Sequence, residues 1–159
     1  TVAPTTAVPT TVEPPGPSGT WTVDLDIGSF HDFSSTWVGY RIDEELGNGI
    51  GAATAVGRTP LVTGTVVLAD DAVVSAEITA DLRGLKSDRI YRDGKVFDVL
   101  HVDRHPDAIF VLDALLPLVA GATEAAATLP GVLTVNGVAA AVDATLEATL
   151  VSPVTRVTA

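Results

Sequence analysis

The chain has 159 residues, enough for one domain with its own core. A net charge of −11 argues against nucleic acid, which needs clustered Lys and Arg to displace counterions, and against an electrostatic grip on anionic lipid surfaces. The absence of Cys removes disulfides, thiol nucleophiles and thiolate metal sites, and no apolar run approaches the roughly 20 residues that span a bilayer.

Residues 1–19, TVAPTTAVPTTVEPPGPSG, hold too little apolar surface to offset their ordering entropy. Their prolines favour an extended, semi-stiff spacer, so a linker or stalk is expected there, with the folded domain over residues 20–159. Any signal or anchor is expected upstream of Thr1. Strands are expected at Thr20–Asp26 and Thr36–Ile42, followed by the Gly-rich loop Gly47–Gly51. Leu61–Leu68 and Val73–Leu82 form a hairpin around Asp70-Asp71. Within the second of these, Val74, Ala76, Ile78, Ala80 and Leu82 point one way while Ser75, Glu77, Thr79 and Asp81 point the other.

The crossover from Lys86 to His105 is the one stretch with helical spacing. Ser87 is placed to cap it, Asp88 lies in its first turn, and Gly94 is expected to break it in two. Pro106 drives His105 out of the helical region. A strand at Ala108–Leu115 follows. Asn136-Gly137, both tolerant of positive φ, then turns Val132–Val135 into a partner strand. In that partner, Val142, Ala144, Leu146, Ala148 and Leu150 face in while Asp143, Thr145, Glu147 and Thr149 face out. Period-two alternation with one helical insertion predicts an all-β antiparallel barrel or sandwich.

Several of these segments, in this order, resemble the YceI-like domains. They are Trp21-Thr-Val-Asp24, Trp37-Val-Gly-Tyr-Arg-Ile42, Thr54-Ala-Val-Gly-Arg-Thr59, the Val73–Leu82 strand, Arg92-Asp93, His105-Pro106 with Ile109-Phe110, and Gly131-Val-Leu-Thr-Val-Asn-Gly137. The resemblance implies a lipocalin-like β-barrel with a short helical crossover that holds a long isoprenoid lipid in an apolar lumen, outside the cytoplasm. The family continues beyond the hairpin pair with closing strands, so this chain is expected to lack them or to close differently. A sheet edge left open in that way invites a second copy, which makes a homodimer the expected assembly. The segment Phe30-His-Asp-Phe33 departs from the family pattern near the first strand.

On this resemblance the ligand-facing residues are Val38, Tyr40, Val66, Leu68, Ile78, Leu82, Phe110, Leu112, Leu133, Val135 and Leu146. A wall of Val, Ala, Leu and Ile suits an unfilled lumen. It equally suits a tightly packed core of small residues, and an extracytoplasmic interaction module with a filled core is the alternative.

Arg83, Lys86, Arg89, Arg92 and Lys95 recur every three residues. As a collar at the barrel mouth, Arg83, Lys86, Arg89 and Arg92 would hold an anionic head group. Asp81, Asp88, Asp93, Asp98 and Asp103 lie among them and can pair with the same cations, and Arg92 with Asp93 is expected to tie the crossover to the barrel. His101 and His105 are four apart, but Pro106 spoils the helical geometry that zinc would need, so no metal site is expected. No Gly-x-Ser-x-Gly elbow or P-loop occurs, and Asp43, Glu44 and Glu45 form a solvated run, so no cofactor or catalysis is expected. Membrane contact is expected only through an anchor outside this chain.

Overall fold

A computed structural model describes residues 18–46, 51–69, 71–119, 122–152 and 156–158. Its strands are β1 (Gly19–Thr22), β2 (Val38–Leu46), β3 (Gly51–Thr59), β4 (Val62–Ala69), β5 (Ala72–Asp81), β6 (Lys86–Ser87), β7 (Asp107–Leu112), β8 (Leu116–Pro117), β9 (Glu124–Val135), β10 (Val138–Ser152) and β11 (Arg156–Thr158). One helix, α1 (Ile90–Val99), lies between β6 and β7. All pairings are antiparallel. The larger sheet runs β1-β4-β5-β7-β9-β10-β11 with β8 beside β5, and a smaller one runs β2-β3-β6. The antiparallel β architecture is therefore as the alternation predicts, with the barrel not closed among the described residues.

The two hairpin turns sit where expected. Asn136 and Gly137 both adopt positive φ, 53° and 70°, the geometry that matches the twist of the flanking strands. Asp71 has φ 57°, while Asp70, like residues 1–17 and 47–50, lies outside the described residues. The β9–β10 ribbon is much longer than the short Val132–Val135 partner implied, beginning at Glu124. β3 answers to no period-two signal, because Ala, Gly and Thr fill most of it. β1 ends at Thr22, short of the expected Asp26.

One register expectation is corrected. A bulge lets Leu68 pair with Val73 while Val67 pairs with Ser75, so Val74 is the extra residue. Val73 thus takes the inward place at 8% exposure, and Val74 is turned out at 40%. Beyond the bulge Ala76, Ile78 and Ala80 do point inward.

The crossover is corrected at two points. α1 is one continuous helix through Gly94, whose position is open enough that a side chain would meet nothing. Its N-cap is Arg89, without a side-chain cap bond, in place of Ser87. Asp93 ties the crossover to the sheet: its carboxylate accepts from the Ser87 backbone N–H at 2.8 Å and from the Ser87 hydroxyl at 2.6 Å. Since β6 pairs with β3, this fastens α1 to the smaller sheet. Arg92 pairs with Asp88, one turn earlier.

The helix C-terminus is a Schellman arrangement. His101 takes φ 48°, its N–H bonds to Asp98 C=O, and the Val102 N–H reaches back to Phe97 C=O at 3.1 Å. Val102 is buried, and Phe97 packs against it.

Packing divides into two clusters at opposite ends of β5. Leu68, Val73 and Ala76, with Trp21, Val66, Leu112, Leu116 and Leu118, fill one end. Leu82, Leu85 and Val102, with Tyr40, Val96, Phe97, Leu100 and Ala108, fill the other beneath α1. Thr59, fully buried, joins the sheets there: its hydroxyl donates to Asp81 C=O at 2.8 Å and accepts from the Leu61 N–H at 3.2 Å.

Candidate functional site

From the first cluster onward, the inner face of the larger sheet carries apolar side chains in register. Val66 faces Ala76 across β4 and β5, Ile78 faces Phe110 across β5 and β7, and Phe110 faces Leu133 across β7 and β9. The β9–β10 ribbon extends this surface, with Leu133 opposite Ala140, Gly131 opposite Val142, Leu129 opposite Ala144 and Ala127 opposite Leu146. No ionisable side chain occupies any of these positions. Away from the turn burial alternates as period two demands: Ala125, Ala127, Leu129, Val142, Ala144, Leu146 and Ala148 are half-buried and their neighbours exposed, whereas residues 132–135 are all half-buried and residues 138–141 all exposed. Half-burial is the informative state, since a face packed against a second layer would be closed to solvent.

Bulky residues on this face lie down instead of reaching across. A side-chain carbon at Gly131 would stand 2.5 Å from Phe110 Cε2, so the phenyl ring rests directly on that glycine. At Gly64 it would meet Ile78 Cδ1 at 2.6 Å, and in the smaller sheet a side chain at Gly57 would meet Tyr40 Cζ at 2.6 Å. Gly57 and Gly64 sit opposite Tyr40 and Ile78 in the ladder. Each glycine thus clears a shelf for a large side chain on the next strand. Spacing on one strand cannot reveal this, because the pairs form only once the register is known.

Every expected ligand-facing residue lies on an inward position or in a packed cluster. Val38, Ile78, Phe110, Leu133, Val135 and Leu146 are half-buried. Tyr40 packs under α1, and Val66, Leu68 and Leu112 belong to the first cluster. Leu82 lies past the end of β5, in a 3-10 turn (Leu82–Gly84), and is part of the second cluster.

The four collar cations are not equivalent. Arg83 makes a two-pronged pair with Asp81, Nε to Oδ1 at 2.9 Å and Nη2 to Oδ2 at 2.6 Å, which holds the Asp81 carboxyl below its usual range. Arg92, mostly covered, is held by Asp88, which Arg89 also approaches at 3.7 Å. Lys86 is exposed on β6 beside Arg58 of β3. An open cleft of about 310 Å³ lies beside Arg83, lined by Phe97, Asp98, Val102, Asp103 and Pro106, outside the apolar inner face.

His101 and His105 serve the hairpin turn of β9 and β10. His101 Nδ1 lies 3.1 Å from Asn136 Oδ1, and the His105 ring covers Gly137. Two motifs some thirty residues apart in sequence therefore make one junction. The departure at Phe30–Phe33 also has a local role: Phe33, at φ 65°, lays its ring 3.3 Å from the Arg58 guanidinium carbon, with Trp37 on the same cation at 5.2 Å.

A family model, the YceI-like domain, matches residues 21–158. Among solved structures, the chain is similar to a polyisoprenoid binding domain from Saccharophagus degradans implicated in plant cell wall breakdown, with a TM-score of 0.55 at 16% identity. The match covers 74% of this chain and 65% of that one, so it speaks for the fold, and the chain spans about two-thirds of its neighbour's length. A comparison with curated proteins found no match.

Proposed function

Since the chain belongs to the YceI-like family, we propose that it binds a long apolar lipid of isoprenoid type, without covalent chemistry, along the inner face of its larger sheet. The observation that carries this is the apolar, half-buried surface over which Phe110 and Ile78 lie flat on Gly131 and Gly64. A slender chain laid on this half-covered surface gains roughly 25 cal/mol for each Å² removed from water. The similar domain from Saccharophagus degradans, itself a polyisoprenoid binding domain, supports the same class of ligand. The contacts are Ile78, Phe110, Leu133, Val135 and Leu146 in the half-covered part, with Val38 from the smaller sheet. Tyr40, Val66, Leu68, Leu82 and Leu112 form its two ends.

An anionic head group would be met by Lys86 and Arg89, the collar cations least tightly held by carboxylates. The role is carriage or storage outside the cytoplasm, with the Pro/Thr-rich residues 1–19 as spacer; their composition is the support for that placement.

Native mass spectrometry of the purified protein, followed by organic extraction, tests the reading. Release of one apolar molecule of isoprenoid mass per chain is expected. A clean apo mass, unchanged after incubation with polyprenol, would move the assignment to an interaction module with a filled core.

A further inference from the structure

α1 has two faces with different fates. Val96, Phe97 and Leu100 turn inward onto the Leu82 cluster and close that end of the sheet. The solvent side keeps Ile90 at 90% exposure, Tyr91 at 76% and Val99 at 71%, spread around about half of the helix circumference with the exposed Asp98 beside Tyr91. Three large apolar side chains on one ten-residue helix meet water, although burying any one of them would be favourable. The Lys95 ammonium sits 4.9 Å from the Tyr91 ring centroid, and Arg89 and Lys86 are exposed at the N-terminal end.

Charge is distributed to match. The segment from Asp81 to Arg104 holds six of the nine Lys and Arg residues against five carboxylates, leaving three cations against fifteen carboxylates elsewhere. α1 therefore projects from the segment that gathers most of the cations, with a net charge of +1 (six minus five) against −12 (three minus fifteen) for the rest of the chain. The remaining carboxylates are screened beyond about 8 Å at physiological salt.

We infer that this outer face of α1 docks the domain on a phospholipid bilayer. Ile90, Tyr91 and Val99 enter the headgroup boundary while Lys86, Arg89 and Lys95 meet the phosphates. The inference takes its purpose from the lipid-carrier reading, since α1 covers one end of the apolar face and a lipid leaving a membrane would pass beneath it. A tyrosine at such a boundary keeps its hydroxyl wet while its ring is buried.

Flotation with phosphatidylethanolamine–phosphatidylglycerol vesicles at physiological salt tests it, comparing the wild type with I90S/Y91S/V99S and with L115S. Leu115 is similarly exposed, at 67%, but lies outside α1, so its loss controls for general stickiness. Expected is flotation of the wild type and L115S, and a drop of about tenfold or more in vesicle partition for the triple variant. Circular dichroism checks that the triple variant is folded, and a folded triple variant that floats as well as the wild type overturns the inference. A wild type that stays with the soluble fraction also overturns it and leaves the face to a protein partner. Organic extraction of the same samples separates the two readings. Flotation without extracted lipid would leave docking standing and remove the carrier, while extracted lipid without flotation would do the reverse.

Discussion

Phe110 and Gly131 show how one absent side chain shapes a binding surface. The ring of Phe110 occupies the place where a Cβ at residue 131 would sit, so any side chain there must lift the phenyl away from the sheet. Gly131→Val is expected to cost about 1–3 kcal/mol through overpacking and to tip Phe110 into the space proposed for the lipid. The measurement is paired: denaturant unfolding for the stability, and extraction stoichiometry for the ligand. Loss of stability with full lipid occupancy would mean that the ligand does not use the Phe110 surface. Thr59 shows the opposite case, a fully buried hydroxyl that is retained because Asp81 C=O and the Leu61 N–H both need it. Neither role is visible one residue at a time. Gly131 in the sequence is a mid-strand glycine that weakens a strand, until the neighbouring strand supplies the ring that covers it.

At the level of elements, the long-period signals were legible and the cross-strand ones were not. Val142–Leu150 alternates so strictly that its inward face could be written down from the residues, and Asn136-Gly137 fixed the turn. Val74 defeated the same rule, because a bulge is decided by how β4 and β5 fit together and leaves no mark in the alternation of β5 alone. α1 was legible as a helix but not as an unbroken one. Gly94 faces open solvent, where its cost of about 1 kcal/mol relative to Ala is offset by the packing of Val96, Phe97 and Leu100. The start of α1 depends on Asp93 more than on any cap. Asp93→Ala removes the acceptor for both the Ser87 amide and its hydroxyl, and is expected to destabilise the crossover by about 1–3 kcal/mol. Hydrogen exchange checks this, with faster exchange across α1 and β6 and unchanged protection in β9 and β10. A uniform change over the whole chain would show that α1 unfolds only together with the sheets.

For the whole molecule, the question is what the larger sheet's inner face lacks. Its two ends are packed by the Leu68 and Leu82 clusters, while the stretch between them, with the β9–β10 ribbon, is apolar and only half-covered. A domain of this design gives up part of the burial that normally stabilises a fold of its size and leaves that area to a ligand. Mass action turns the deficit into a measurement. A ligand that binds the folded state alone at a hundred times its Kd stabilises it by about 2.7 kcal/mol. For a domain of this length each kcal/mol moves Tm by about 2–4 °C, so saturation with an isoprenoid alcohol is expected to raise Tm by roughly 5–11 °C. Gly131→Val should reduce that rise if Phe110 has been tipped into the ligand's space, whereas I90S/Y91S/V99S should preserve it, because docking and holding use opposite faces of the crossover. An unchanged Tm in the wild type across the full range of isoprenoid concentrations would mean that the half-covered face is not completed by this class of lipid.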